Sequence, residues 1–235
     1  MLTKVSDEQS RRDSASVPRL STAVISNKYE SATRRLFLID YEGTLTPNKT
    51  GTGVSIGQPY RIVDTLNELI ADPKNIVYVM SGLQPEELDY IFHPVENLGL
   101  IAENGCLFRE HGPGPKSWRA LVDMEDVQNW KKEVKPALKY YKERMNNSHI
   151  EERHCSLIFH YGLVEDQAAA IQQAGVCAEQ INTSSSKNKH VQAVPVSKAL
   201  IVEQNNINKV SIAYSFSLVL KALSLFTELP GEAAS

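Results

Sequence analysis

Leu36 to Ile39 is a run of four apolar residues that stops at a carboxylate, Asp40, and it constrains the fold of this 235-residue chain more than any other stretch. A run this short, apolar at both alternating positions, fits a strand buried between two helix layers in a parallel sheet. Glu42, Gly43 and Thr44 follow, and glycine permits the positive φ of a tight turn. In open α/β sheets, ligands and chemistry sit beyond the carboxyl ends of the strands. Asp40 is therefore expected at the mouth of a crevice, with Glu42 two residues on. An Asp so placed can attack phosphorus, and a neighbouring carboxyl can protonate a leaving group.

The next elements repeat that strand–turn–helix logic. Ile62, Val63, Leu66, Leu69 and Ile70 predict a one-sided helix over 59–71, with Pro59 in its first turn and Asp72-Pro73 as its stop. Ile76 to Met80 is a second β-type run, ending at Ser81-Gly82 ahead of a helix over 85–92. A hydroxyl and free backbone N–H groups at such a junction can hold a phosphate. Leu100 to Ala102 reads as a third strand, closed by the turn Glu103-Asn104-Gly105.

From Glu125 to Met145 the apolar residues fall at helical spacing through Val127, Trp130, Val134, Leu138 and Tyr141, and Pro136 predicts a kink or two helices. Lys131, Lys132, Lys135, Lys139 and Lys142 read as its solvated face. His149 to Tyr161 has β-type residues and reads as a strand. His149, His154 and His160 on it lack a clean zinc ligand set. A helix is expected over 167–181 through Ala170, Ile171, Ala174, Val176 and Cys177, followed by a polar loop from Asn182 to Lys189. A hairpin-like pair is then expected to join Val191–Val194 to Ala199–Val202, and an apolar helix is expected over 210–229.

Composition narrows the function classes. Hydrophobic content of 42% and charged content of 23% are those of a soluble globular protein, and a net charge of −3 offers no basic patch for nucleic acid. Cys106, Cys155 and Cys177 show neither metal nor disulfide spacing, as expected for reduced thiols. No apolar signal core opens the chain, and Lys221 with several serines argues against a membrane span at 210–229, so a cytoplasmic location is expected. Residues 1–33 read as a flexible leader and Asn48 to Gly57 as a mobile loop beside the first strand.

Asp40-Tyr41-Glu42-Gly43-Thr44-Leu45, then Ser81-Gly82, then Asn208-Lys209 resemble in order the three motifs of the haloacid-dehalogenase-type phosphohydrolases. Asp40 to Pro47, Val77 to Gly82, Leu98 to Cys106 and Ile150 to Tyr161 are similar in particular to the trehalose-6-phosphate phosphatase branch. The resemblance covers about residues 34–213. It implies an α/β fold, a Rossmannoid parallel sheet core over 34–125 with an inserted α+β cap over 126–204, and a core remnant helix with a divergent tail over 205–235. It further implies Asp40 as nucleophile, Glu42 as general acid/base, and Ser81, Gly82 and Lys209 as phosphate holders. Glu103, Asn104, Glu151 and Arg153 (or His154) would face the sugar. Mg²⁺ would be held by Asp40 and the backbone carbonyl of Glu42. Trehalose 6-phosphate or a related sugar phosphate is the implied ligand, and other subunits of a trehalose synthase complex are the implied partners.

Four departures from the family pattern bear on activity. Glu42 stands where the family has Asp, and one more methylene moves the carboxyl by about 1.5 Å. A misplacement of about 1 Å can cost ~100-fold in rate. Leu83 stands where an arginine is usual, and the lysine pattern of the cap is altered, with Gly162 replacing an arginine. No Gly-Asp-Asp cluster follows Ala213, where Glu228 and Glu232 are the remaining acids, so the Mg²⁺ site and the far side of the sheet are expected to be incomplete. The simplest expectation is a fragment, a truncated gene model or one segment of a larger protein, weak or inactive as a catalyst and regulatory in role. An active phosphatase and a non-catalytic sugar-phosphate-binding module stay open as alternatives.

Overall fold

The computed structural model describes residues 21–46, 59–184, 191–196, 198–206, 209 and 211. The expected loop at 48–57, the tail helix at 210–229 and most of the leader lie outside these residues. The chain divides into two units, Met1–Arg35 and Leu36–Ser235. Within the first, Thr22–Ser31 form helix α1, where no structure was expected. It buries none of its residues, so no apolar stripe marks it in the sequence. Arg35 closes the unit with its guanidinium 3.8 Å from the centre of the Tyr29 ring.

β1 (Arg35–Asp40), α2 (Pro59–Ala71), β2 (Asn75–Met80), α3 (Pro85–Phe92) and β3 (Gly99–Ala102) follow the expected order, each within one residue of the expected bounds. The sheet continues through β4 (Leu107–Arg109) and β5 (Trp118–Ala120) in the order β1-β2-β3-β4-β5, which leaves β1 at one edge among the described residues. β2 and β3 pair in parallel with Val79 opposite Leu100. β4 and β5 extend the sheet antiparallel and were not legible, since three-residue strands hold too few positions to show a period.

Alternation along β2 and β3 sorts their apolar residues onto two faces. Val77, Val79, Leu100 and Ala102 pack with Leu66 of α2 and with Leu88 and Phe92 of α3, while Tyr78, Met80 and Ile101 gather on the other side. At Gly99 a Cβ would lie 2.4 Å from the Tyr78 ring, so only glycine lets the two strands close there. Helix α3 starts with a capping box: Gln84 N–H donates to Glu87 Oε2 at 2.9 Å, and Pro85 fills the first turn.

The second core belongs to α4 (Met124–Lys142), β6 (His149–Glu152), β7 (Leu157–His160), α5 (Gln167–Ser184), β8 (Val191–Val196) and β9 (Ala199–Gln204). The strands form an antiparallel sheet in the order β6-β7-β9-β8, with Trp130, Leu138, Phe159, Tyr161 and Cys177 among the residues packed against it. Asp123 caps α4, accepting from the N–H of Glu125 at 2.9 Å.

Five expectations need correction. His149 to Tyr161 is two strands joined by a turn, not one strand. Helix α4 runs unbroken through Pro136, which is exposed, so the carbonyl it leaves unpaired can reach water. Lys131 is not solvated but 1% exposed. Ile171 and Val176 of α5 are exposed at 55% and 49%, while Ala170, Ala174, Cys177, Ala178 and Ile181 carry the buried face. Helix α5 also runs on through Ser184, into the segment expected to be loop. The three cysteines are free and buried, and burial pushes the Cys177 thiol up to about 12. Among the described residues no helix is long and apolar enough to cross a membrane.

Candidate functional site

The turn after β1 is held by its own backbone. Leu45 and Thr46 N–H both donate to Tyr41 C=O at 3.0 Å, and Gly43, at φ 82°, donates to Thr46 C=O at 2.7 Å. Tyr41 N–H donates to Met80 C=O at 2.9 Å, which brings the end of β1 against the end of β2. Asp40 and Glu42 thereby come next to Ser81 and Gly82.

Glu42 does not point into open space. Its Oε1 accepts a short hydrogen bond from Ser81 Oγ and a second from Gly82 N–H at 3.2 Å, and its Oε2 lies 3.1 Å from Lys209 Nζ. Lys209 Nζ also donates to Asp40 Oδ1 at 2.5 Å. Burial opposes the Lys209 charge, but the bonds and charges of Asp40 and Glu42 outweigh it and raise the pKa above the ordinary lysine value. Ser81 itself is fully buried, its hydroxyl also accepting from Leu83 N–H at 3.0 Å. The five residues expected to form the catalytic and phosphate-holding set are therefore in one cluster, with the Glu42 carboxylate in its middle.

Glu103 follows β3 at φ 45°, its side chain 3% exposed. Its carboxylate turns toward the β6–β7 turn: Oε1 accepts from His154 N–H at 3.0 Å and faces His154 Nδ1 at 3.0 Å, while Oε2 accepts from Cys155 N–H at 2.8 Å. On the other side of the same two peptide groups, Lys131 Nζ donates to the carbonyls of Arg153 and of His154, the latter at 2.7 Å. Each peptide dipole thus has its oxygen toward a buried ammonium and its hydrogen toward a buried carboxylate. Burial lowers the pKa of Lys131, partly offset by Glu152, Cys155 and Glu103.

Arg153 leaves that turn toward the crevice. Its Nη1 donates to Gly82 C=O at 2.9 Å and its Nε to Glu151 Oε1 at 2.6 Å. Glu151 Oε2 meets His160 Nε2 at 2.7 Å, and the His160 ring stacks on His149 at 4.5 Å. Burial works to raise the Glu151 pKa, but the bonds from Arg153 and His160 prevail and lower it. Asn104, at φ 57°, donates from Nδ2 to Glu203 Oε2 at 3.4 Å.

These groups surround a cavity of about 320 Å³ between the two sheets, with Glu42, Lys209, Arg153, Asn104 and Glu203 on its wall and Ile158 and Ile201 on its apolar side. Glu203 was not singled out from the sequence, although Val202-Glu203 ends a β-type run much as Ile39-Asp40 does. Burial raises its pKa and the charge of Glu103 adds to that, against bonds from Asn104 and Gln192. Glu151 is the expected sugar-side residue that does not itself line the cavity.

Mg²⁺ takes near-octahedral oxygen ligands. Asp40 Oδ1 already carries the Lys209 ammonium, and among the described residues no group of three His, Cys, Asp or Glu side chains is placed to hold a metal ion. The donors around Asp40 do not fit that ion.

The family model for trehalose-phosphatases matches residues 38–219. A trehalose-phosphatase of Schizosaccharomyces pombe is 35% identical over 156 residues, which are 66% of this chain and 19% of that protein. The putative α,α-trehalose-phosphate synthase (UDP-forming) 106 kDa subunit of the same yeast is 32% identical over 181 residues, 72% of this chain and 19% of that protein. The solved C-terminal domain of the C. albicans trehalose-6-phosphate phosphatase superposes with a TM-score of 0.66 at 31% identity, covering 86% of this chain and 67% of that one. The chain spans about a fifth of the length of these two curated relatives.

Proposed function

The chain belongs to the trehalose-phosphatase family, and on that premise we propose that it is a trehalose-phosphatase-like domain of trehalose biosynthesis that holds trehalose 6-phosphate or a related sugar phosphate and turns it over weakly. One observation carries the reading. The three donors expected to hold a phosphoryl group, Ser81 Oγ, Gly82 N–H and Lys209 Nζ, are all bonded to the chain's own Glu42 carboxylate. A substrate phosphoryl must displace that carboxylate before it can meet Asp40. Glu42 lines the cavity, but both its oxygens are held by Ser81, Gly82 and Lys209, so it must leave those bonds to protonate a leaving group, since a general acid has to lie within hydrogen-bond reach of the atom it protonates.

In this reading the four-stranded sheet with α4 and α5 is the cap that selects the sugar. Arg153, Asn104 and Glu203 supply donors and acceptors for hydroxyl groups, while Ile158 and Ile201 face the apolar side of the sugar rings. Family members generally use Mg²⁺. In such proteins the ion would screen the repulsion between phosphate and nucleophile. The partial ligand set around Asp40 is a further reason to expect slow turnover. A regulatory or scaffolding place within a synthase complex is supported by the likeness to the S. pombe synthase subunit. Sugar-phosphate binding without any turnover is the second reading, favoured by the mixture of cations and carboxyl groups around the cavity.

The test is phosphate release from trehalose 6-phosphate in the presence of Mg²⁺, comparing the protein with Asp40→Asn, alongside calorimetry with the same compound. We expect heat of binding and a slow release that Asp40→Asn abolishes. Rapid release that Asp40→Asn abolishes would make the chain an active phosphatase, and heat with release no greater than that of the variant would favour the second reading. Neither heat nor release would leave a scaffold only.

A further inference from the structure

Lys131 is the most deeply buried cation described, 1% exposed on a helix that otherwise buries apolar groups. An unpaired buried ammonium costs several kcal/mol, so its retention needs a reason. The peptide groups joining Arg153 to His154 and His154 to Cys155 lie between it and Glu103, with both carbonyls on Lys131 and both N–H groups on Glu103. Neither charge touches the other. Each is compensated in part through the backbone of the turn, and removing either leaves the two peptide groups held from one side only. The residue that opens this clamped turn is Arg153, whose guanidinium is brought to Gly82 C=O on the cavity wall.

We propose that Lys131 is a positioning residue: with Glu103 it fixes the two peptide groups after Arg153, and so sets how firmly the cavity takes a phosphorylated sugar. It does not reach the ligand. Its effect passes through the carbonyl of Arg153, which orients the Cα–Cβ bond from which the guanidinium extends. Alternatives on the β6–β7 turn account for less. His154 is 40% exposed and bridges Glu103 and Glu86 from outside, at 3.0 and 3.5 Å.

The proposal rests on the sugar-phosphate reading above, and the test separates the two. Trehalose 6-phosphate affinity is measured by calorimetry for the protein, Arg153→Ala, Lys131→Met and the double variant, and the Arg153 Nε–H resonance, identified by its loss in Arg153→Lys, is followed in parallel. Each single change is expected to weaken binding about tenfold or more, as for loss of a charged hydrogen bond. The double variant is expected to bind no worse than Arg153→Ala, because both changes remove one contact. In Lys131→Met the Nε–H signal should lose the shift given by Glu151. Affinity of Lys131→Met equal to the parent, or losses that multiply in the double variant, would overturn the proposal and leave the function standing. If the parent itself shows no binding, the functional reading falls and the resonance decides: an unmoved signal in Lys131→Met overturns the positioning role, and a collapsed one sustains it. Should Lys131→Met not fold, Lys131→Gln, which keeps a donor for one carbonyl, carries the same comparison.

Discussion

Lys209 Nζ stands 2.5 Å from Asp40 Oδ1, so the cation expected to neutralise a phosphate is already paired with the expected nucleophile. Burial alone would lower the Lys209 pKa, yet Asp40 and Glu42 raise it above 10.5. A raised pKa in the folded state contributes stability that is complete below the unfolded value and is lost as pH climbs through the folded one. Melting temperatures taken from about pH 10 upward, through and beyond the ordinary lysine value, should therefore fall more steeply for the protein than for Lys209→Met. Parallel curves would show that the pairing contributes nothing.

Shortening the central carboxylate should open the anion site. Glu42→Asp draws the carboxyl back by about 1.5 Å, out of reach of Ser81 Oγ and Gly82 N–H. With those donors free, affinity for inorganic phosphate, read by ³¹P NMR titration, should rise about tenfold or more. An unchanged affinity would mean that Glu42 is no obstacle.

Glu103→Ala should destabilise the chain strongly. It strips the acceptors from two backbone N–H groups of the turn and takes one of its counter-charges from Lys131. The expected loss is about 3 kcal/mol or more in chemical denaturation. Glu103→Gln, which keeps one acceptor oxygen, should lose less. A loss below that of ordinary surface changes would refute the peptide-bridged arrangement.

Gly99→Ala should place a methyl group 2.4–2.8 Å from three carbons of the Tyr78 ring. Overpacking of this kind costs about 1–3 kcal/mol. Adding Tyr78→Leu should recover part of that loss, and the recovery is the measurement: independent, additive losses would show that the ring is not what excludes the methyl.

Legibility followed periodicity. Helices at 59–71 and 85–92 and the hairpin closing on Ala199 were readable because each buries one face; Asp40, Glu42, Ser81 and Gly82 were readable because they follow strand ends, and Lys209 only through the resemblance of Asn208-Lys209 to the third phosphohydrolase motif. Lys131 was misread by residue type alone: with Val127, Trp130 and Val134 it falls on the buried stripe, but the carbonyls that accept its protons belong to a turn 22 and 23 residues away. The β6–β7 turn was missed since Arg153 to Ser156 carry neither glycine nor proline. Their turn is held instead by Glu103 and Lys131 and by Arg153 N–H donating to Ser156 C=O. Glu203 was passed over because its importance comes from Asn104, 99 residues earlier in the chain.

Glu103 grips the hairpin mainly by main-chain hydrogens, which every amino acid except proline supplies. The joint between the two halves of the crevice is thus indifferent to most side chains carried at 154, which is exposed, while 155, which is buried, is limited to what its core pocket holds. Residues at 154 can be exchanged without loosening the grip of Glu103 on the two peptide groups.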